Sequence, residues 1–243
     1  MGGRRTVVIT GAGHGLGLEW ASQELAEGAT VVATARDPAA SPGLDALREA
    51  RRHGSTQAGG ELVVLGMDVT GDASVEGASR EIERRFGSID DLINNAGTFG
   101  PRDDAALGVS ADEARRVMEV NSVGPLRVTR AFLPLLRRAR RPRIVFITSR
   151  MGSIGDGPSG GAYAYRMSKS ALNMLAANLA ADLRGDGVLC LVLHPGWVRT
   201  RMGGPGGRVD AATSVAGMRR VLGGATLKQS GAFFDYQGQI VPW

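Results

Sequence analysis

The sequence has little cysteine and no long apolar run. Cys190 is the single cysteine among 243 residues, so no disulfide can form within the chain and nothing points to an oxidising compartment. No segment approaches the ~20 consecutive apolar residues of a membrane-spanning helix. The first apolar run begins at Thr6, directly after two arginines, which leaves no apolar export region before it. We therefore expect a cytoplasmic protein with no membrane partner.

Negative charge is in the minority. The net charge is +5, and five of the seven residues from Arg137 to Arg143 are arginines. Such a basic run is compatible with a nucleic-acid interface. However, it ends a predicted helix, where cations complement the helix dipole, and no aromatic residues are interleaved with it to stack on bases. We expect no nucleic-acid partner, whereas an acidic protein partner stays open.

Apolar runs and helical patterns alternate along the whole chain. Strands are predicted at 5–10, 29–35, 61–67, 89–94, 143–148, 188–193 and 231–235. Helices are predicted at 16–27, 43–53, 72–86, 110–138, 162–184 and 211–222. The alternation predicts an α/β fold, a doubly wound parallel sheet of seven strands with helices on both faces. No linker or internal repeat divides the sequence, so we expect a single Rossmann-type domain over residues 1–243.

Lysine occurs only twice, against 27 arginines. Lys169 stands four residues after Tyr165, which places both on one face of a helix about one turn apart. Lysine is a compact charge whose pKa can move, whereas arginine is a wide fork that stays charged. A nearby ammonium favours tyrosinate and would lower the phenol pKa from its usual value near ~10. The pair is therefore a candidate general acid and base.

A glycine-rich turn joins the first predicted strand to the first predicted helix. Its glycines are spaced Gly11-x-x-x-Gly15-x-Gly17. Such glycines let the backbone approach a pyrophosphate, whose charge meets free N–H groups at the helix start. The context of strand, turn and helix favours a dinucleotide site over a simple loop.

These motifs resemble those of the short-chain dehydrogenase/reductase family. They are Thr10-Gly-x-x-x-Gly-x-Gly17, Asn94-Asn-Ala-Gly97, Asn121, Ser149, Tyr165-x-x-x-Lys169 and His194-Pro-Gly196, and they cover essentially the whole chain. Residues 152–155, 160–173 and 230–243 resemble one branch, the sniffer-type carbonyl reductases and C-factor-like proteins. The resemblance implies the strand order 3-2-1-4-5-6-7 in the sheet.

The resemblance also implies a catalytic set of four residues and no metal. Tyr165 would give a proton to the substrate oxygen in reduction and take one in oxidation, and Ser149 would donate a hydrogen bond to the same oxygen. Lys169 would also bond the nicotinamide ribose. Asn121, inside the predicted helix 110–138, would hold a water that links Lys169 to solvent.

Two members of this set have competitors. Ser149 ends the fifth predicted strand, and its interval to Tyr165 is longer than in ordinary family members, a difference that the longer loop of the resembled branch absorbs. Ser153 is the alternative serine, but it lies inside that loop. Tyr163 is the alternative acid, but Tyr165 has a lysine four residues later and Tyr163 does not.

The residues after the second predicted strand favour NADP (NADPH) over NAD. An acidic residue there usually binds the adenosine ribose of NAD, and Ala35 stands in its place, followed by Arg36. A guanidinium can pair with a 2′-phosphate through two hydrogen bonds. His14 in the glycine-rich turn is a potentially cationic neighbour. Asp37 could instead pair with Arg36 or take the ribose.

The full set of predicted cofactor contacts follows from the resemblance. It comprises Gly11, His14, Gly15, Leu16, Gly17, Arg36, Asp68, Val69, Asn95, Ala96, Gly97, Tyr165, Lys169, Pro195, Gly196, Val198 and Thr200. Asp68 and Val69 would contact the adenine, and residues 95–97 would line the path of the dinucleotide. Pro195, Gly196, Val198 and Thr200 would meet the nicotinamide amide.

The expected activity is hydride transfer between NADP(H) and a small carbonyl compound or secondary alcohol, with reduction of a ketone or aldehyde as the leading interpretation. One alternative is a ketoreductase acting on acyl chains of an acidic carrier protein. Another is a nucleotide-binding signalling protein, because C-factor-like relatives are associated with intercellular signalling. Arg150, Arg199 and Arg201 could favour an anionic substrate.

Further expectations concern surfaces and loops. Helices 110–138 and 162–184 pair across a two-fold axis in the family, so a homodimer or homotetramer is expected, to which residues 241–243 could add. Apolar residues beyond one helix face are Leu172, Met174, Leu175, Leu179 and Leu183. The segments 152–161 and 203–207, rich in glycine and proline, are expected to be mobile lids.

Overall fold

In the computed structural model, which describes residues 4–53, 60–101, 108–157 and 159–243, seven parallel strands form one sheet. They are β1 Thr6–Ile9, β2 Thr30–Ala35, β3 Leu62–Gly66, β4 Asp91–Asn94, β5 Arg143–Ile147, β6 Leu189–His194 and β7 Phe233–Asp235. Their order across the sheet is β3-β2-β1-β4-β5-β6-β7, which confirms the predicted topology. Ligands of such sheets bind at the carboxyl ends of the strands, where the order reverses between β1 and β4.

Both faces of the sheet are covered, so its strands are apolar almost throughout. Successive side chains of a strand point to opposite faces. Val8 and Val32 therefore join one buried cluster, whereas Val7 and Val31 join the other. All four side chains are fully buried, which explains why β-branched runs predicted these strands.

Helices connect the strands on both faces of the sheet. They are α1 Gly15–Ala26, α2 Pro42–His53, α3 Asp72–Phe86, α4 Ala111–Met118, α5 Gly124–Leu136, α6 Tyr163–Asp182 and α7 Ala211–Gly224. Side chains of α3, α5 and α6 pack on one face, and those of α1, α2 and α7 pack on the other. Within the described ranges, no helix is long and apolar enough to cross a membrane.

The predicted helix 110–138 is continuous from residue 111 to residue 136, but it is not α-helical throughout. Residues 119–123 form a π-helical turn between α4 and α5. Asn121 in this turn bonds to Thr98 of another segment, and Pro125 at the start of α5 has no N–H to continue the α-helical ladder. Turns of this type are frequent at functional sites.

The arginine-rich run at the end of α5 makes ion pairs with neighbouring elements. Arg137 pairs with Asp186 at 2.7 Å, and Arg138 pairs with Glu83 at 2.9 Å. Arg143, the first residue of β5, pairs with the fully buried carboxylate of Asp91, the first residue of β4. The run therefore ties α5 and β5 to the elements around them.

The segment after β7 packs on the loop after β5. Ser153 Oγ donates to Pro242 O at 2.5 Å, and the N–H of Gly155 donates to the main-chain oxygen of Trp243 at 2.5 Å. Residues 242 and 243 thus hold one end of the predicted lid 152–161. Residue 158 of that lid lies outside the described residues.

The second predicted lid, 203–207, is folded against the residues that precede it. Trp197 Nε1 donates to Gly203 O at 2.8 Å. Trp197 O accepts from the N–H groups of Arg208 at 2.7 Å and Val209 at 3.1 Å. These bonds close the segment at both ends, and its motion stays a prediction.

Candidate active site

A cleft of about 1080 Å³ opens at the carboxyl edge of the sheet. Most predicted cofactor contacts lie on its wall: Gly11, His14, Gly15, Leu16, Arg36, Asp68, Val69, Asn95, Ala96, Gly97, Tyr165, Lys169, Pro195 and Thr200. The predicted residues that are not on the wall are Gly17, Asn121, Ser149, Gly196 and Val198. Loops that follow the first six strands of the chain therefore meet around this cleft.

The backbone of the glycine-rich turn runs very close to its neighbours. Gly11 has a φ of +65°, and a Cβ at this position would lie 2.9 Å from Ala96 Cα. A Cβ on Gly17 would lie 2.6 Å from Gly11 O. Helix α1 begins at Gly15, so its free N–H groups face the turn. This arrangement fits the pyrophosphate of a dinucleotide, which needs close backbone approach at a helix N-terminus.

Asn95 holds the shape of this turn. Its side-chain Nδ2 donates to Thr10 O at 2.9 Å and to Gly11 O at 3.1 Å. In return, Thr10 Oγ1 accepts from the N–H groups of Asn95 at 3.0 Å and Ala96 at 2.9 Å. The amide of Asn95 is thus directed at the turn, and its predicted contact with the cofactor stays a prediction.

The carboxylate of Asp37 is engaged in its own turn. Its Oδ1 accepts from the N–H groups of Ala39 at 3.0 Å and Ala40 at 3.2 Å. Arg36 beside it is exposed and lines the cleft. The sequence left open whether Arg36 or Asp37 binds the adenosine ribose end of the cofactor. The geometry favours Arg36, because the carboxylate of Asp37 is already hydrogen-bonded within its own turn.

Asp68 stays ionised at the predicted adenine end of the cleft. Burial acts to raise its pKa, but hydrogen bonds from Thr70 and the charges of Arg36 and Arg127 outweigh it and lower the pKa. Oδ1 of Asp68 accepts from Thr70 N at 2.9 Å and Thr70 Oγ1 at 2.8 Å. The carboxylate is therefore a fixed hydrogen-bond acceptor.

His14 carries no positive charge at neutral pH. Burial and the neighbouring Arg201 lower the pKa of its imidazole, against a hydrogen bond to its own backbone that raises it. Its Nε2 lies 2.6 Å from Arg201 Nη2. Because a guanidinium can only donate, Nε2 is the acceptor. The lowered pKa disfavours the cationic form of His14 that the sequence left possible, because burial and the guanidinium of Arg201 both oppose it.

Helix α6 begins after three residues in the left-handed region. Gly160, Gly161 and Ala162 have φ of +75°, +68° and +47°, and alanine is strained there whereas glycine is not. One turn further on, Tyr165 and Lys169 are both buried on the same side of the helix. Lys169 Nζ lies 5.7 Å from the centre of the Tyr165 ring, so the two groups are neighbours as predicted.

Burial raises the pKa of Tyr165 to about 12, although the hydrogen bond with Ser149 acts to lower it. The ring stacks on Phe99 with centroids 4.6 Å apart and planes inclined by 25°. The shift is opposite to the predicted one, because loss of water around the phenol disfavours its charged form. At pH 7 Tyr165 therefore holds its proton, as a proton donor must.

Burial also lowers the pKa of Lys169, to about 8. Its Nζ donates to Ile147 O at 2.9 Å. A Cβ on Gly97 would lie 3.7 Å from Nζ, so the ammonium sits close to the backbone after β4. An amine with a pKa near neutrality can change its protonation state where arginine cannot, which explains a lysine at this position.

Asn121 joins two segments beneath the cleft. Its Oδ1 accepts from Thr98 N at 2.8 Å, and its Nδ2 donates to Thr98 O at 2.8 Å and to Ser168 Oγ at 2.9 Å. Ser168 in turn donates to Tyr165 O at 2.8 Å. Asn121 thereby holds the loop after β4 against α6. Its predicted water link to Lys169 stays a prediction.

The alternative serine, Ser153, is engaged in another contact, and the alternative tyrosine, Tyr163, does not line the cleft. Ser149 hydrogen-bonds Tyr165, whereas Ser153 Oγ donates to Pro242 O at 2.5 Å. Tyr163 opens helix α6, half-buried and off the wall of the cleft. The geometry therefore favours Ser149 and Tyr165 over their neighbours.

Comparison with known proteins agrees with this arrangement. The sequence matches the family model for short chain dehydrogenases over residues 5–209. The chain belongs to the short-chain dehydrogenase family. The match includes the glycine-rich turn, helix α6 and the His194-Pro-Gly196 segment, and it confirms the family resemblance that the motifs carry.

The chain is also similar to several known proteins. C-signal of Myxococcus xanthus is 51% identical over 158 residues, which is 65% of this chain and 94% of that protein. The NADPH-bound carbonyl reductase from chicken fatty liver is 34% identical with a TM-score of 0.90, covering 99% of both chains. The carbonyl reductase Sniffer of D. melanogaster is 30% identical with a TM-score of 0.89, covering 99% of this chain and 100% of its own.

Three contacts of this short-chain dehydrogenase were not predicted from the sequence. Phe99 stacks on Tyr165, and Ser168 connects Tyr165 to Asn121. His194 Nδ1 accepts from the N–H of Arg150, the residue after Ser149, at 3.2 Å. Burial and Arg150 lower the pKa of His194 to about 4, so it stays a neutral acceptor. The sequence could have indicated Phe99, Ser168 and His194 only through their positions, because each lies inside a family motif or within three residues of one.

Proposed function

We propose that this short-chain dehydrogenase reduces a ketone or aldehyde with NADPH and that Tyr165 donates the proton. The phenol of Tyr165 carries this proposal, because it lies on the wall of the dinucleotide cleft, bonded to Ser149, with its pKa raised to about 12. Such a group is protonated at neutral pH, which suits reduction better than oxidation. The likeness to the NADPH-bound chicken carbonyl reductase supports the same reading.

Reduction of a carbonyl group needs a hydride at carbon and a proton at oxygen. When bound, NADPH supplies the hydride. Tyr165 gives its phenol proton to the carbonyl oxygen, whose π electrons form the new O–H bond, while Ser149 donates a hydrogen bond to that oxygen. The ammonium of Lys169, 5.7 Å from the ring centre, offsets the charge of the tyrosinate that remains.

A panel of ketones and aldehydes assayed with NADPH tests the proposal. Loss of NADPH absorbance with at least one compound, and none with heat-denatured protein, supports it. Acyl chains carried on an acidic carrier protein belong in the same panel, because the ketoreductase alternative uses the same site chemistry. Binding of NADPH without turnover of any compound would contradict a reductase.

A second function is that of a nucleotide-binding signalling protein, and the 51% identity with C-signal is the observation that favours it. A binding module needs the dinucleotide cleft but has no use for a proton donor. The buried set of Asn121, Ser149, Tyr165 and Lys169 is intact, and this weighs towards catalysis. Turnover with any carbonyl compound would decide between the two.

Arg36 supports NADP over NAD in this proposal. Arg36→Ala should raise the Kd for NADPH by about tenfold, the lower end for a charged hydrogen bond because the guanidinium is exposed. The Kd for NADH should stay nearly unchanged, since NADH has no 2′-phosphate. Fluorescence titration with both nucleotides measures the two effects. Equal affinity of the native protein for NADPH and NADH would contradict the assignment.

Self-association is the expected quaternary state. Exposed apolar side chains lie on α6, at Met167 and Met174, and at the start of α5, at Leu126. Leu172 and Leu183, predicted for this surface, are instead buried in the chain's own core. Light scattering at micromolar concentration should therefore show particles larger than the 25.4 kDa chain. Only single chains at that concentration would contradict the prediction.

A further inference from the structure

Arg201 joins the two walls of the cleft at the glycine-rich turn. It belongs to the segment between β6 and α7, whereas His14 belongs to the turn between β1 and α1. Arg201 Nη2 and His14 Nε2 are 2.6 Å apart. Beside this contact, a Cβ on Gly15 would lie 3.6 Å from Thr200 Cγ2. The two segments therefore touch directly at the start of α1.

The contact places a permanent positive charge against a neutral partner. A guanidinium has five N–H donors and cannot be deprotonated, and its bond to His14 uses one of them. The imidazole has its pKa lowered by burial and by Arg201, so it adds no charge of its own. Arg201 thus lines the same space as the free N–H groups of α1, which also favour an anion.

The other two arginines that were predicted to favour an anionic substrate are engaged elsewhere. Arg199 pairs with Asp210 at 3.8 Å, and Arg150 pairs with Asp156 at 3.4 Å. Both are absent from the wall of the cleft, whereas Arg201 is part of it. Arg201 also contacts the glycine-rich turn through His14. Its position therefore matches the cofactor better than the substrate.

We propose that Arg201 binds the pyrophosphate of the dinucleotide and that His14 holds the guanidinium ready for it. The proposal rests on the proposed NADP(H) function. A phosphate oxygen is a charged acceptor and a neutral imidazole is not, so Arg201 exchanges a weaker hydrogen bond for a stronger one. The pyrophosphate is common to NADPH and NADH, whereas Arg36 lies where the 2′-phosphate of NADPH alone is expected.

Titration of variants with three nucleotides separates these roles. NADPH, NADH and ADP-ribose all contain the pyrophosphate, and ADP-ribose lacks the nicotinamide. Arg201→Gln removes the charge, and Arg201→Lys keeps it without the planar fork. Arg199→Gln is the matched control, since it removes an arginine from the same segment but off the cleft wall. Calorimetry gives the Kd values, and unliganded melting temperatures show that each variant is folded.

Arg201→Gln should raise the Kd for all three nucleotides by about tenfold, the lower end for a charged hydrogen bond at a solvent-exposed site. Arg201→Lys should recover part of the affinity, and Arg199→Gln should bind like the native protein. Saturating ADP-ribose should also raise the melting temperature of Arg201→Gln less than that of the native protein.

Other outcomes overturn the proposal in distinguishable ways. Native-like affinity of Arg201→Gln for all three nucleotides would show that the guanidinium does not reach the pyrophosphate. Weakened binding of NADPH alone would place it at the 2′-phosphate, and an unchanged Kd with a raised KM for an anionic carbonyl compound would place it at the substrate. If the native protein bound none of the nucleotides, the proposed function itself would fail together with this inference.

Discussion

In a Tyr165→Phe variant, turnover with NADPH is expected to fall by ~10²–10⁴, the range for a lost general acid. NADPH binding should be nearly unchanged, because the phenylalanine ring still stacks on Phe99 and Lys169 keeps its hydrogen bond to Ile147 O. Steady-state kcat and fluorescence titration of NADPH measure the two effects separately.

Tyr163 provides the matched control for this experiment. It lies two residues earlier on the same helix, half-buried, and it does not line the cleft. Tyr163→Phe should therefore turn over like the native protein. If it were the inactive variant and Tyr165→Phe retained activity, the proton donor would be misassigned.

Lys169→Arg is expected to damage both turnover and cofactor binding even though it keeps the charge. The ammonium is buried and donates to Ile147 O at 2.9 Å, and burial lowers its pKa to about 8. A guanidinium is wider, and its pKa does not move into this range. Turnover should fall by at least ~10², the lower end for general acid–base catalysis. The Kd for NADPH should also rise, which sets this variant apart from Tyr165→Phe.

The second lysine of the chain supplies the control. Lys228 is exposed in a short turn before β7, so Lys228→Arg should leave kcat and Kd at native values. A fully active Lys169→Arg protein would show that the scarcity of lysine has no bearing on position 169.

The sequence predicted the strands and most helices because their signals are local. Runs such as Thr6–Ile9 are β-branched and bounded by turn residues, and both properties can be read without the partners. The π-helical turn at residues 119–123 has a different origin. Asn121 bonds to Thr98 and Ser168, which are 23 and 47 residues away along the chain. A contact of this kind leaves no periodic signal, so the sequence predicts the helix but not the π-helical turn inside it.

The sequence could predict which residues form the site, but it could not predict their pKa values. The four-residue spacing identified Tyr165 and Lys169 as a pair, but it could not show how far the two side chains are buried from water. Burial decides the direction of both pKa shifts, and burial is a property of the packed molecule. His14 shows the same limit, because Arg201, 187 residues later, is one cause of its lowered pKa.

The convergence of loops from six strands on one cleft has a consequence for the lifetime of the protein. A dinucleotide seated there would touch segments from Gly11 to Thr200 at once, and these separate when the sheet opens. A ligand that binds the folded chain alone adds about 2.7 kcal/mol at 100 times its Kd. Cellular abundance of this protein should therefore follow the supply of dinucleotide, with proteases removing the empty chains first.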